Sequence, residues 1–227
     1  MLGGSAARQG RRAVLALSAA LLTGCTSPPH TWDSHTIATP QGSVDVASLS
    51  QQSVATLGLV TPAALTGFAP SVSQSLVRAL AEASPPIRGM TPVDAVSALN
   101  EKGLTAEYAE LLAGFGRSGI LERERLDRIG AALGSRYVLL PGLAAVEQAL
   151  LDRFEFSGFK LIRNRVTSLR LWLQLWDTRS GRLVWESAGE IAVASELLSP
   201  GRAVPLDAIA QKLWLRMVQD ELLAGAK

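Results

Sequence analysis

Residues 166–185 read VTSLRLWLQLWDTRSGRLVW, and their pattern of apolar and turn residues predicts a β-hairpin. Its first half alternates, so that four leucines share one face of a predicted strand: Leu169, Leu171, Leu173 and Leu175. Residues 177–181 have the composition of a turn, and Gly181 can adopt the positive φ that closes a hairpin. Residues 182–193 are therefore predicted to return as the partner strand.

Strand-like and helical segments precede and follow this hairpin. An apolar run over residues 54–60 predicts a strand that is buried on both faces and lies centrally in a sheet. Further short strands are predicted at residues 87–90 and 137–140. Amphipathic helices are predicted after Pro70, after Thr91-Pro92, from Tyr108 to Phe115, from Leu126 to Leu133 and from about Pro205. This order predicts an α/β fold, a single domain with a mixed β-sheet flanked by helices.

The N-terminal segment has the composition of a secretory signal. A basic head with Arg8, Arg11 and Arg12 is followed by an apolar run over residues 13–22. That run is about half the ~20 residues that a membrane-spanning helix needs, so a permanent transmembrane helix is disfavoured here. Residues 1–24 are predicted to be a signal peptide.

The end of this segment resembles the bacterial lipobox, through Leu22, Thr23, Gly24 and Cys25. The resemblance implies that diacylglycerol is attached to the thiol of Cys25 and that cleavage leaves this cysteine first, anchored in a membrane by acyl chains such as palmitate. Thr26 stands where an Asp would favour the inner membrane in the enteric sorting pattern. The expected location is an outer-membrane lipid anchor with the domain in the periplasm, and an inner-membrane anchor is the disfavoured alternative.

The mature chain has 203 residues (227 minus 24), which is enough for one domain with a substantial core. Residues 25–52 are rich in Ser, Thr, Pro, Gly and Gln and are predicted to be a flexible tether, followed by the domain over residues 53–223. Loss of the three signal arginines leaves 19 Lys and Arg against 20 Asp and Glu. A near-neutral domain gives no electrostatic reason to expect a nucleic-acid partner, because such binding depends on clustered cations that neutralise phosphates.

Two segments carry a resemblance to a known family: residues 126–139, LDRIGAALGSRYVL, and residues 173–185, LQLWDTRSGRLVW. Together with the apolar first strand and its helix, they resemble the CsgG/LpoB/PelC-like periplasmic α/β domain. The resemblance implies a non-catalytic accessory or assembly factor of a cell-envelope or secretion complex, and it leaves homo-oligomerisation open. The pore-forming member of that family carries two extra amphipathic hairpins. Between residues 147 and 165, charged residues interrupt a lipid-facing alternation, so a pore is not expected: Arg153, Glu155, Lys160, Arg163 and Arg165.

The residues that commonly perform catalysis are sparse in the predicted domain. His30 and His35 both fall in the predicted tether, and the only cysteine is the lipidated one, so neither a metal site nor a cofactor is expected. Residues 114–119 match G-x-G-x-x-G but are predicted to end a helix, whereas a dinucleotide loop opens one. The match of Ser157 and Lys160 to S-x-x-K lacks its companion motifs. The carboxylate pairs Asp152/Glu155 and Glu186/Glu190 are predicted to be solvated.

A candidate partner-binding site lies on the strand face opposite the leucines and contains Arg170, Trp172 and Trp176, because Trp and Arg are enriched at binding hot spots. The favoured interpretation is that a helix, such as the one containing Trp214, covers these rings. If the rings are exposed, a glycan- or ligand-binding module becomes the alternative function. A carboxylate-based hydrolase is the further alternative.

Overall fold

A computed structural model describes residues 30–40, 49, 54–156, 159–196 and 204–224. The described residues form one sheet with the strand order β1-β6-β5-β4-β2-β3. The strands are β1 His30–Pro40, β2 Val54–Thr56, β3 Gly89–Met90, β4 Tyr137–Phe156, β5 Phe159–Asp177 and β6 Arg182–Glu196. β2 pairs in parallel with β3 and β4, whereas the β4/β5, β5/β6 and β1/β6 pairs are antiparallel. The sheet is therefore mixed, as predicted.

Within the described ranges, α-helices flank this sheet at α1 Ala69–Glu82, α2 Pro92–Glu101, α3 Thr105–Ser118, α4 Arg123–Leu133 and α5 Leu206–Arg216. A 3₁₀ helix, Ala63–Phe68, leads into α1, and a π-helical segment, Met217–Leu223, continues α5. The predicted cap of α2 is present, since the Thr91 hydroxyl accepts a hydrogen bond from the Asp94 backbone N–H at 3.3 Å. Gly119 and Gly134 end α3 and α4 in the left-handed conformation.

The helices bury the two faces of the sheet in separate cores. On the leucine face, the side that carries Leu169, Leu171, Leu173 and Leu175, α5 packs over β5 and β6, and α1 packs against α5 and β4. Trp214 of α5 is fully buried there and donates its indole N–H to the Val72 carbonyl at 3.3 Å. On the tryptophan face, the side that carries Trp172 and Trp176, α2, α3 and α4 form the second core.

Strand β1 lies within the segment that sequence analysis assigned to the tether, so the prediction of an unstructured segment is wrong for residues 30–40. The strand pairs with β6 over its whole length, from His30↔Ser195 to Pro40↔Trp185. Its inward positions are held by the C-terminal helices: Arg216 donates to the Ser34 carbonyl at 2.7 Å, and Thr36 donates to Glu221 at 2.7 Å. These inward residues are mostly small or polar, so no hydrophobic alternation marks the strand.

Strand β4 is much longer than the predicted Tyr137–Leu140. The strand continues through Pro141 and Gly142, and both residues have a structural use. The Pro141 carbonyl accepts the Val60 N–H at 2.9 Å, and Gly142 leaves room for the ring of Trp172. The apolar run at residues 54–60 correspondingly forms only the short strand β2 and an isolated bridge between Val60 and Gly142.

Beyond the Gly142↔Trp172 pair the sheet continues as a four-stranded antiparallel arm. This arm consists of residues 144–156, 159–170, 188–196 and 30–37 of β4, β5, β6 and β1. Helix α5 and the π-helical segment cover its leucine face. The tryptophan face of the arm, here called the open face, carries exposed residues from β1, β4, β5 and β6.

Candidate interaction surface

The residues of the predicted anchor, Leu22 to Cys25, lie outside the described residues, so the structure does not place the predicted lipidation site. The first described residue is His30, at the start of β1. The remaining site residues of the sequence analysis, Arg170, Trp172 and Trp176, lie on β5 and point to the tryptophan face as predicted.

The two tryptophans belong to the core formed with α2, α3 and α4, and the helix containing Trp214 packs on the opposite face. Trp176 is only 4% exposed, and its indole N–H donates to Gln174 at 3.0 Å. Trp172 is half-buried, with its ring centroid 5.6 Å from that of Phe115. The ring of Trp176 is therefore within the core, and Trp172 marks the boundary between the core and the open face.

Arg170 is exposed next to this boundary and is paired with carboxylates from both neighbouring strands. Its Nε lies 2.8 Å from Glu190 Oε2, and an Nη atom lies 4.0 Å from Glu147. The Ser168 hydroxyl donates to the other oxygen of Glu190 at 2.7 Å. The hydrogen bonds from Ser168 and Arg170 lower the pKa of Glu190, and the bond and charge of Glu190 raise the pKa of Arg170. Both groups are held in their charged forms.

Among the side chains that the structure describes, the rest of the open face is mostly small and polar, with Ile37 as its most exposed large apolar side chain. Ile37 of β1 is 70% exposed and is paired in register with Ala188 of β6, which is also exposed. Further exposed or half-buried positions of this face are Thr31, Asp33, His35, Ala145, Glu147, Ala149, Val166, Ser168, Ala192 and Ala194. Sequence reasoning missed this surface, because one of its four strands, β1, lies in the segment predicted to be a tether and because the arm was not predicted.

The two segments that carry the family resemblance contact each other. The Thr178 hydroxyl, in the β5–β6 turn, donates to the carbonyl of Arg136 at 3.0 Å, and Arg136 Nε lies 3.2 Å from Asp177. A Cβ atom on Gly130 would lie 2.4 Å from Thr178 Cβ, so the glycine permits helix α4 to approach the turn. These contacts pack helix α4 against the β5–β6 turn.

Asp177 closes the turn through its side chain. Its Oδ1 accepts the backbone N–H groups of Arg179 and Ser180, each at 3.0 Å. Burial acts to raise the pKa of Asp177, but the hydrogen bonds from Ser180 and Arg136 and the charge of Arg136 outweigh it, and the pKa is lowered. Gly181 completes the turn with φ of 67°, as predicted.

Two of the matches to catalytic or ligand-binding patterns are explained by local structure. Gly119 ends α3 with φ of 70°, so the G-x-G-x-x-G match is a helix stop. Glu186 accepts a hydrogen bond from Gln174 at 2.9 Å. Ser157 lies outside the described residues. Among the residues that the structure describes, no cluster of three or more His, Cys, Asp or Glu side chains could hold a metal ion, and no helix is both long and apolar enough to cross a membrane.

Comparison with known proteins gives distant structural likeness only. No family model and no curated protein matches the chain. Among solved structures, the dodecameric PelC of Paraburkholderia phytofirmans is similar with a TM-score of 0.43 and 13% identity, covering 82% of this chain and 95% of that one. Lipoprotein GNA1162 of Neisseria meningitidis gives 0.42 and 12%, covering 74% and 97%. The LpoB C-terminal domain of Salmonella enterica gives 0.36 and 19%, covering 61% and 82%. Similarity at this level does not identify a function for the chain.

Proposed function

We propose that this chain is a lipoprotein, anchored through Cys25 in the outer membrane, whose periplasmic α/β domain is a non-catalytic accessory or assembly factor of a cell-envelope complex. The observation that carries the proposal is the sequence Leu22-Thr23-Gly24-Cys25 directly after a basic head and a short apolar run. The order of these three parts is that of a lipoprotein signal, and Cys25 is the only cysteine of the chain.

The position of the anchor relative to the domain supports this assignment. Four residues lie between Cys25 and His30, where β1 begins, so five residue-to-residue steps join the two. A fully extended chain covers at most ~3.3–3.6 Å per residue, so this separation limits His30 to about 17 Å from the anchored cysteine. Two or more acyl chains on such a terminus give stable binding to a bilayer, because each buried CH₂ contributes ~0.8 kcal/mol. The domain would then work close to the membrane surface.

The open face supports an accessory role because it offers a partner charged and aromatic groups together. Exposed Arg170 and half-buried Trp172 lie on this face beside Ala188, and Arg and Trp are enriched at protein interfaces.

The carboxylates of the open face are engaged in ways that favour binding over catalysis. An acid–base pair needs two carboxyl groups whose environments separate their pKa values, one raised and one ordinary. The pKa of Glu190 is instead lowered, by Ser168 and Arg170, and Glu186 is bonded to Gln174. Glu190 is thereby held ionised and in a fixed position, which is what an electrostatically specific docking surface requires.

Lipidation can be tested directly. The full chain is expressed in a Gram-negative host with an alkyne-tagged palmitate, and the label and the intact mass of the N-terminal fragment are measured. We expect label on the wild-type chain, a mass consistent with a modified Cys25 as the first residue, and loss of both in Cys25→Ser. An unmodified thiol at Cys25 in the membrane fraction would contradict the anchor.

The docking role can be tested by photo-crosslinking in the native envelope. A photoreactive amino acid replaces Ala188 on the open face or, as control, Val93 on α2, which is 74% exposed on another part of the surface. We expect a defined product with an envelope protein from position 188, absent from position 93 and absent when Cys25→Ser releases the anchor. A product at twice the mass of the chain would identify the partner as a second copy. Equal, diffuse products at both positions would contradict the docking role.

A further inference from the structure

A cleft lies at the edge of the sheet that β3 forms, on the leucine face. Its volume is about 350 Å³, and it is bounded by the last turns of α1 on one side and by β2 and β3 on the other. Its apolar walls include Val54, Val77, Leu80, Ile87 and Met90. Val54, Leu80 and Ile87 also belong to the core of the leucine face, so the cleft opens directly beside that core.

The walls of the cleft are held in place by hydrogen bonds. The Ile87 N–H donates to the Leu80 carbonyl at 3.0 Å, which holds the segment before β3 against the end of α1. The side chain of Gln219 accepts the Ser84 N–H at 2.8 Å and donates to the Ser84 carbonyl at 2.9 Å. The cleft is therefore formed in the folded domain before any ligand binds, which reduces the entropic cost of binding.

The size and lining of the cleft are those of a site for a small apolar group. Ligand sites are typically concave, ~300–1,000 Å³ in volume and lined mainly by apolar side chains. At the ~30 Å³ that a water molecule occupies in the liquid, about 350 Å³ corresponds to roughly 12 non-hydrogen atoms. Two further clefts among the described residues are lined by several charged side chains, including Glu110, Arg117 and Asp127. An apolar group therefore has a better environment beside β3 than in either of them.

The charged side chain that lines this cleft is Arg88, which is exposed at its rim. Arg88 has no hydrogen bond or ion pair with any residue that the structure describes. The two carboxylates nearest to it in the sequence are engaged elsewhere. Glu82 accepts a hydrogen bond from Gln211 at 2.8 Å, and Asp94 accepts one from the Thr91 hydroxyl at 2.7 Å. A guanidinium group can donate two parallel hydrogen bonds to a carboxylate or phosphate, so Arg88 is available to an anionic group.

We propose that the cleft between α1 and β3 binds a small amphipathic anion, an aliphatic chain of up to about ten carbons that carries a carboxylate or phosphate group. The chain lies against Val54, Leu80 and Ile87, and the anionic group contacts Arg88 at the rim. Binding at this site goes beyond the proposed envelope role and does not depend on the anchor at Cys25, because the folded domain alone forms the cleft.

The length of the aliphatic chain tests whether the cleft binds the apolar part. The mature-length chain with Cys25→Ser, which carries no acyl groups of its own, is titrated by calorimetry with hexanoate, octanoate, decanoate and dodecanoate below their micelle concentrations. Each fully buried CH₂ lowers Kd about fourfold. We expect octanoate to bind at least about fivefold more tightly than hexanoate, and the gain to end near decanoate, where the cleft is full. Absence of binding, a Kd independent of chain length, or an affinity that still rises fourfold per CH₂ at dodecanoate would overturn the proposal.

Filling the cleft with a protein side chain tests the location of the site. Ala81 is exposed and lines the cleft from α1, so Ala81→Phe places a ring there without altering the core. We expect this variant to bind octanoate at least about tenfold more weakly. The matched control, Ala113→Phe, makes the same change at an exposed position of α3 outside the cleft and should leave Kd unchanged. An equal Kd in the two variants, each verified as folded by circular dichroism, would rule out this cleft as the site.

The role of Arg88 is tested with ligands that share one aliphatic chain and differ in the head group. Octanoate and octyl phosphate are anions, whereas octanol is neutral. We expect Arg88→Gln to weaken the binding of both anions at least about threefold, the scale of one exposed ion pair, and to leave the Kd of octanol unchanged. Arg182→Gln, at an exposed position of β6, should leave all three unchanged. Equal binding of the anions by wild type and Arg88→Gln would overturn the assignment of an anionic ligand, and the tighter-bound anion of the two shows which head group the site prefers.

Discussion

Gly142→Ala should destabilise the domain, because the added methyl group has no room beside Trp172. A Cβ at this position would lie 1.8 Å from Cε2 and 2.1 Å from Cζ2 of the indole ring. Either the ring moves away from Phe115 or β4 shifts relative to β5. Overpacking of this kind costs ~1–3 kcal/mol, and because the clash involves a rigid ring within a core we expect a loss of about 2 kcal/mol.

The assay is guanidinium unfolding of the Cys25→Ser chain, followed by far-ultraviolet circular dichroism, with the free energy of unfolding taken from linear extrapolation. Gly116→Ala is the matched control. It makes the same change in helix α3, where a Cβ has no neighbour within 4 Å, and should raise stability by ~0.5–1 kcal/mol through helix propensity.

A double variant tests the stated cause. Trp172→Leu replaces the ring with a smaller side chain, so Gly142→Ala should cost less in that background, with a coupling free energy of at least ~1 kcal/mol. Strict additivity of the two changes would refute the argument that the methyl group and the indole ring compete for one space. A stabilising effect of Gly142→Ala similar to that of Gly116→Ala would refute it as well.

Three further predictions concern buried polar groups. The folded-state pKa of Asp177 is lowered, so the ionised carboxylate stabilises the fold fully above its unfolded-state pKa of ~3.9. This stabilisation is lost as the pH falls through the lower folded-state pKa. The difference in unfolding free energy between wild type and Asp177→Asn should therefore shrink below pH ~4 in an acid titration. The Ser187 hydroxyl is buried without a hydrogen-bond partner, so Ser187→Ala should leave the unfolding free energy unchanged or raise it by up to ~1 kcal/mol. Thr178→Val removes a hydroxyl that donates a hydrogen bond, so it should lower the unfolding free energy by ~1–2 kcal/mol in the same denaturant assay. The Gly58 N–H donates to the phenol oxygen of Tyr108 at 2.6 Å, and Tyr108→Phe leaves it without an acceptor. The variant should therefore lower the unfolding free energy by ~1–3 kcal/mol. An unchanged denaturation midpoint would show that water replaces the phenol.

The parts of the fold that could be predicted from sequence are those in which periodicity and turn chemistry agree. The alternation around Leu171 and the Asp177-to-Gly181 turn correspond to β5, the turn and β6. The last helix starts where the proline near its N-terminus indicated, at Leu206 after Pro205. In these elements the pattern of burial follows the pattern of apolar residues, so local sequence is sufficient.

The parts that could not be predicted depend on distant partners. β1 has Ser34 and Thr36 at inward positions, and its existence follows from pairing with β6 and from Arg216 and Glu221. The open face could not be predicted for the same reason.

The position of β1 in the sheet has a consequence for the order of folding. Paired residues of β1 and β6 are 145 to 165 residues apart in the sequence, from Pro40↔Trp185 to His30↔Ser195. Contacts of high sequence separation form slowly because chain entropy is lost before they do so, whereas the β4–β5–β6 hairpins are local. The strand nearest the N-terminus is thus expected to dock after β6 has formed. Until then, the edge of β6 is open to the equivalent strand of another molecule, and exchange of β1 between two chains is the misfolding route that this topology makes available.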